Sequence, residues 1–141
     1  MNPSLIDLLT NGEIATLPLA QPAAGADFST VLAQPKLWIP LIVTAQLVTD
    51  ATVAARRSTL VITQGTGFRL QAPNTFTQSA SLTVIQQWAV FAAATGANGG
   101  AFQTVLPFCP LRGAHTVATA TLLLAAGDQW SSGLLTYLYL P

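Results

Sequence analysis

Residues 58–71 read S-T-L-V-I-T-Q-G-T-G-F-R-L-Q, and this stretch decides the fold class. In its first half Leu60 and Ile62 lie on one face, and Thr59 and Thr63, around Val61, lie on the other. Alternation with a period of two is the pattern of a β-strand with one buried face. Gly65 and Gly67 then turn the chain into a second short strand. The stretch therefore predicts a β-hairpin.

Similar segments lie on both sides of this hairpin. The one helical signal is a short turn at 4–9 that ends at Asn11-Gly12. Segment 81–92 is long enough for a helix, but its Val, Ile, Thr, Trp and Phe residues favour a strand. About seven strands without a long helix predict an all-β, antiparallel β-sandwich. The predicted strands cover residues 41–49, 58–64, 68–71, 81–92, 101–108, 115–124 and 132–140.

The charge distribution divides the chain into two parts. Residues 1–35 hold three acids and no base, a net charge of −3, together with four prolines. Residues 36–141 hold five bases and two acids, a net charge of +3. We therefore predict an extended N-terminal arm over 1–35 and a β-sandwich domain over 36–141. Two arrangements of the arm remain open: loose packing on its own domain, or an extended path across a neighbouring subunit.

Composition predicts that the chain associates with other proteins. Hydrophobic residues make up 51% of the chain, only 7% is charged, and the net charge is zero. An average soluble domain has about 25% charged residues. Apolar surface patches mark contact sites, and zero net charge removes electrostatic protection against association. We expect a homo-oligomer whose interface candidates are Leu17, Leu19, Phe28, Leu32, Trp38, Trp130, Tyr137 and Tyr139.

The same composition argues against several classes of partner. The chain has five Lys and Arg residues, and Arg56-Arg57 is their only cluster, so we expect no nucleic-acid partner. We expect no membrane partner either, because the chain contains no apolar block of about 18 residues. The first residues lack a cationic segment, so we expect no signal peptide.

The sequence offers little material for catalysis. Cys109 lies between Phe108 and Pro110 without a nearby cation, so we interpret it as a buried or half-buried, inert thiol. His115 opens a predicted strand, and we expect it in a turn, solvated or hydrogen-bonded. The five acids are scattered along the chain rather than spaced as metal ligands. We therefore predict no catalytic, metal or cofactor-binding residues, and a protein that is not an enzyme.

The Arg56-Arg57 pair opens a strand in a chain with few charges. Neighbouring strand residues point to opposite faces, so one arginine is expected to face inward and the other outward. An unpaired buried arginine would be unfavourable, and Asp50 and Asp128 are the candidate partners. The alternative is two solvated arginines at a strand end.

Two segments carry a resemblance to a known family. Residues 43–65 contain a strand, a small-residue turn, an arginine, the alternating strand and a glycine turn. The segment A-A-G-D-Q-W-S at 125–131 precedes the closing hydrophobic strand. Together they resemble small virion proteins of tailed bacteriophages, of the capsid decoration (cement) type. The end of the chain, residues 136–141, departs from that pattern, since relatives often finish with acidic residues.

The resemblance implies a jelly-roll-like sandwich on the capsid surface of a virion assembled in the host cytoplasm. It further implies a homotrimer bound to the major capsid protein, with no cofactor. The arm would contact neighbouring subunits. The alternative is a receptor- or glycan-binding module of a phage fibre or tail. In that case Trp38, Trp88 and Trp130 would offer surfaces on which sugar rings stack, with Asp128 near Trp130.

Overall fold

The computed structural model describes residues 4–91 and 101–141, which form a two-sheet sandwich. One helix, α1 (Leu5–Asn11), precedes the strands. The strands are β1 (Glu13–Pro18), β2 (Ser29–Leu32), β3 (Leu37–Val48), β4 (Arg57–Gln64), β5 (Phe68–Pro73), β6 (Thr83–Ala89), β7 (Ala101–Val105), β8 (Leu111–Arg112), β9 (His115–Leu122) and β10 (Gln129–Tyr139).

The order of the strands is that of a jelly roll. The six-stranded sheet runs β1-β10-β3-β6-β7, with β8 beside β3. The four-stranded sheet runs β2-β9-β4-β5. Without β7 and β8, two four-stranded sheets remain, which is the eight-strand arrangement of a jelly roll. The predicted all-β sandwich is confirmed.

Each predicted strand corresponds to an observed strand, with differences at the ends. The first begins at Leu37 and the last at Gln129, both earlier than expected. Residue 92, the end of the predicted segment 81–92, lies outside the described residues. One pairing differs in direction, because β6 and β7 run parallel. Alternation of side chains indicates a strand but does not encode its direction.

The described part of the arm, residues 4–35, is mostly extended and pairs with the body of the same chain. Strand β1 pairs antiparallel with β10 at one edge of the six-stranded sheet. Strand β2 pairs with β9 at one edge of the four-stranded sheet. Residues 1–3 of the predicted arm lie outside the described residues. Each sheet thus gains an edge strand from the first 35 residues.

Apolar side chains form two clusters, one inside the sandwich and one outside it. The inner cluster lies between the sheets and includes all three tryptophans. The outer cluster lies where α1 covers one end of the six-stranded sheet and includes Leu8, Ile39 and Leu140. Ser4 and Asp7 form a capping box at the start of this helix, and Gly12 ends it, which confirms the short helical turn.

Candidate functional site

Arg56 is the centre of a buried ionic cluster at one end of the sandwich. Its side chain is fully buried, and all five of its N–H groups donate hydrogen bonds. Nε and Nη2 donate to the two carboxylate oxygens of Asp128 at 2.8 and 3.0 Å. Nη2 also donates to Asp50 Oδ1 at 2.9 Å, and Nη1 donates to the carbonyls of Thr52 and Ala54. We call Arg56, Asp50 and Asp128 the arginine clamp.

Asp128 is held as a carboxylate by its neighbours. Burial raises the pKa of Asp128, but hydrogen bonds from Arg56 and from the backbone N–H groups of Ala125 and Asp50 outweigh this effect. The pKa therefore lies below the usual carboxyl value. Because the guanidinium and the carboxylate are both fully satisfied, burying them does not leave an unpaired charge.

The arginine clamp connects four of the described loops, which lie at one end of the fold. Asp50 and Arg56 lie in the loop between β3 and β4, and Asp128 lies in the loop between β9 and β10. The backbone of Arg56 pairs in both directions with Gln78, in the loop between β5 and β6. The Asp128 carbonyl accepts from the N–H of Gly25, between β1 and β2. These four loops join the two sheets, so the clamp fixes one sheet relative to the other.

The close packing of the clamp requires glycine at one position. A Cβ on Gly127 would lie 2.5 Å from Asp50 Oδ2, well inside van der Waals contact. The A-A-G-D stretch that the sequence singles out therefore has a packing role here, because it allows the loop to approach Asp50.

A second buried polar chain stabilises the same end of the sandwich. Asn74 Nδ2 donates to Gln86 Oε1, and Gln86 Nε2 donates to Gln78 Oε1 at 3.0 Å. Gln78 Nε2 donates in turn to the carbonyls of Leu47 and Leu82. Linked amides of this kind, buried and hydrogen-bonded, fix the relative positions of the segments that carry them.

Three of the four predicted ion-pair residues form the arginine clamp, and the fourth, Arg57, does not. The structure joins Arg56 to both Asp50 and Asp128, where the sequence left the choice between the two acids open. Arg57 has the opposite parity and is exposed. The prediction of one inward and one outward arginine is therefore confirmed.

Neither Cys109 nor His115 is fully exposed to solvent. Cys109 is half-buried, and burial raises the pKa of its thiol, which disfavours the nucleophilic thiolate. His115 is buried rather than solvated, and its Nδ1 lies 3.0 Å from the carbonyl oxygen of Gly113. Its ring makes an edge contact with Trp38. The hydrogen-bonded interpretation of His115 holds, and the solvated one is wrong.

The predicted interface residues lie inside the chain's own core. Six of the eight are buried: Leu19, Phe28, Leu32, Trp38, Trp130 and Tyr137. Leu17 and Tyr139 are half-buried and pack against the same core. The assignment of the six buried residues as partner contacts is wrong, because their side chains fill the core of this chain. For Leu17 and Tyr139 the assignment stays a prediction. Composition predicted a surplus of apolar residues without showing which of them fill the sandwich.

The three tryptophans are also buried in the core and provide no stacking surface. Trp38, Trp88 and Trp130 are 0%, 0% and 1% exposed. Each indole N–H donates inside the protein, to the Gly113 carbonyl, the Ala72 carbonyl and Asp27 Oδ1 respectively. Sugar rings therefore have no access to these tryptophans.

One group of exposed apolar residues lies on the outer face of the six-stranded sheet. Their positions alternate with those of the core residues along β1, β10, β3, β6 and β7. Strand register aligns them in three rows, which the sequence alone did not reveal. The rows are Thr16-Thr136-Ile42-Ala89-Val105, Pro18-Leu134-Thr44-Gln87-Gln103 and Gln46-Ile85-Ala101.

This surface, which we call the neutral face, has two notable properties. Its thirteen row positions include no Asp, Glu, Lys or Arg. Ile42, Leu134, Ile85 and Val105 are between 36% and 47% exposed. An apolar depression of about 430 Å³ lies on the neutral face, and Phe91 stands at its rim.

The opposite face of the sandwich differs in charge. On the outer side of the four-stranded sheet, β4 presents Arg57, Thr59 and Thr63, and β5 presents Arg69. The central strand β9 presents small residues such as Ala118 and Ala120. The two outer faces are therefore chemically distinct, one uncharged and one weakly cationic.

Comparison with known proteins finds no matching family model, no matching curated protein and no matching solved structure. Within residues 4–91 and 101–141, no group of three or more His, Cys, Asp or Glu side chains is placed to hold a metal ion. In that same part of the chain, no helix has the length and apolar character needed to cross a bilayer.

Proposed function

We propose that this chain is a structural virion protein that decorates and stabilises a bacteriophage capsid as a homo-oligomer. The resemblance in residues 43–65 and 125–131 gives the virion class and the expectation of three copies. Jelly rolls form viral capsid and lectin domains among others, so the fold is compatible with this class without selecting it.

The observation that carries the proposal is the neutral face. A five-strand surface with exposed aliphatic side chains and no formal charge is suited to permanent burial against protein. Burying it requires no desolvation of ions, which is the main unfavourable term at charged interfaces. A protein that acts on a shell as a homo-oligomer needs such a surface for contact between its own copies, and it needs no reactive group.

The arginine clamp supports the same function from inside the fold. It holds four loops and both sheets in one arrangement, so little conformational entropy is lost on association. A rigid subunit transmits its contacts from one binding site to the next, and that is how a decoration protein would strengthen a shell. The glycan-binding alternative has lost its stacking surfaces, because all three tryptophans are buried.

Co-sedimentation tests the proposal directly. The purified chain is mixed with empty shells assembled from the major shell protein of the same genome, and the shells are pelleted. We expect saturable binding at a fixed ratio and a higher temperature of shell disassembly. Chain alone and shells alone serve as controls. Absence of binding at micromolar concentration would overturn the proposed function.

Deleting residues 1–35 is not a clean test of the arm. That deletion removes β1 and β2 and withdraws Leu19, Phe28 and Leu32 from the core. Charged substitutions at exposed arm positions are sharper, and Ile14, 67% exposed, is the best of these. If the arm contacts a neighbour, Ile14→Lys weakens shell binding while the unfolding temperature is unchanged. Full shell binding by this variant would count against a contact at that site.

A further inference from the structure

We infer that the neutral face pairs with the neutral face of a second copy of this chain. The inference rests on the proposed function in one respect, the expectation of a homo-oligomer, and it names the surface that joins the copies. Three observations carry it: the charge of the face, its area, and a projection beside a depression.

Charge favours a second copy over an unlike partner. In a contact with a twofold axis each patch meets itself, so any charged group lies close to its own copy. The neutral face has no formal charge in its three rows, and self-contact therefore creates no repulsion. It also offers an unlike partner no ion pairs for recognition. On the opposite face, self-contact would bring Arg57 and Arg69 together with no acid between them.

The area of the face is of the order that a stable pair requires. Five strands spaced about 4.8 Å apart, with rows extending about 20 Å along β3, give a projected area of about 500 Å². Helix α1 covers the adjoining part of the same sheet and adds Ile6 and Leu9, 75% and 59% exposed. The corrugated accessible area exceeds the projection and approaches the roughly 800 Å² per partner of a standard interface.

The third observation is the geometry around Phe91. Its side chain is 91% exposed, and it stands at the rim of the depression formed with Ile42, Ala89 and Gln103. A projection beside a depression is self-complementary, because a nearby twofold axis places each phenylalanine over the depression of the other copy. Buried aromatic side chains that fill a pocket are typical anchors of protein interfaces.

A face-to-face contact closes at two copies, since its two halves are identical. The structure therefore assigns a twofold pair to this surface. The trimer expected from the resemblance would need a different contact.

Light scattering and sedimentation velocity on the full chain test the pairing. We expect the wild type to have twice the 14.7 kDa chain mass at micromolar concentration. Ile85→Lys places two lysines in the contact, so we expect its dissociation constant to rise at least 100-fold. The matched control is Leu122→Lys, which puts the same charge at a 56% exposed aliphatic position on the other outer face, outside the arm. It should remain paired.

Further variants separate loss of pairing from loss of folding. Thr44→Lys also places a charge in the rows, and it should dissociate the pair as Ile85→Lys does. Phe91→Ala removes the proposed anchor without adding charge and should weaken pairing at least 10-fold. Each variant should show the wild-type circular dichroism spectrum. Pairing that survives in folded Thr44→Lys, or that Leu122→Lys disrupts equally, would overturn the inference.

The mass of the wild type and shell binding distinguish the two proposals. A wild type of one or three chain masses overturns the pairing of neutral faces. If that protein still binds shells, the virion function stands without this interface. A paired wild type that does not bind shells gives the reverse result, in which the interface is right and the proposed function fails.

Discussion

Replacing Arg56 with methionine tests whether the arginine clamp holds the sandwich together. Methionine keeps much of the side-chain volume and removes all five donated hydrogen bonds. The Asp128 side chain, which is fully buried, would then lose both contacts with the guanidinium. The carbonyls of Thr52 and Ala54 would lose their donors as well.

The unpaired Asp128 carboxylate dominates the expected energy. Removing one partner of a buried ion pair destabilises a protein by about 3–5 kcal/mol, because the remaining charge is desolvated without compensation. For a domain of this size, that corresponds to a fall in Tm on the order of 10–20 °C. Arg57→Met is the matched control, since Arg57 is exposed and its loss should change stability by less than about 0.5 kcal/mol.

Urea unfolding followed by tryptophan fluorescence measures both variants. The three tryptophans are buried in the inner cluster, so their emission reports the opening of the sandwich. Adding Asp128→Asn to Arg56→Met removes the unpaired charge, and the double variant should be more stable than additivity predicts. The reasoning is refuted if Arg56→Met and Arg57→Met unfold at the same urea concentration, or if the two clamp substitutions are additive.

The lowered pKa of Asp128 predicts how the stability difference between wild type and Arg56→Met changes with pH. A carboxyl whose pKa is lowered on folding stabilises the native state above its unfolded pKa, near 3.8. That stability is lost as the pH falls through the lowered native value. In Arg56→Met the arginine no longer lowers the pKa of Asp128, so burial should raise this pKa. The stability difference between wild type and variant should therefore be full at pH 7 and shrink towards pH 3, whereas a constant difference would exclude Asp128 as its source.

Three further predictions concern packing, buried amides and the thiol. Gly127→Ala forces a Cβ against Asp50 and should destabilise by about 1–3 kcal/mol in urea unfolding, while Gly67→Ala, with no neighbour within 4 Å, should change little; equal effects would contradict the packing role. Gln86→Leu leaves its amide partners unsatisfied and should destabilise by about 1–3 kcal/mol, so a neutral result would exclude a stabilising role for the chain. Burial raises the pKa of Cys109, so iodoacetamide should modify it more slowly at pH 7 than after unfolding in urea, and equal rates would show an accessible thiol.

The strands could be predicted from the sequence because most of them alternate or are rich in β-branched and aromatic residues. Leu60 and Ile62 face the core as their parity indicates, and the Arg56-Arg57 pair divides between the two sides for the same reason. An inward arginine in a chain with few acids has few partners, so Asp50 and Asp128 could be identified without a structure. Local periodicity and charge scarcity were sufficient for these features.

The surface could not be predicted, because it depends on pairing between distant strands. The closing strand is apolar on both faces, so parity alone does not show whether Tyr137 or Leu138 faces the core. Bulges interrupt the pairing of β10 with β3 between Ser131 and Leu134 and again between Thr136 and Tyr137. Such shifts change which side chains share a face. The neutral face appears only when five strands are aligned in register.

The scarcity of charge is greater at the surface than composition suggests. In the clamp Arg56 is paired with both Asp50 and Asp128, so these three charges leave a net charge of −1. Asp27 accepts hydrogen bonds from Thr119, Thr121 and Trp130 between the strands.

The acids that remain are also engaged locally. Asp7 caps α1, and Glu13 accepts a hydrogen bond from Tyr139. Both acidic side chains are exposed, so part of the acidic character of the arm remains at the surface beside α1 and β1. A partner would meet an uncharged face on one sheet and arginines on the other, and this asymmetry gives the two faces different binding preferences.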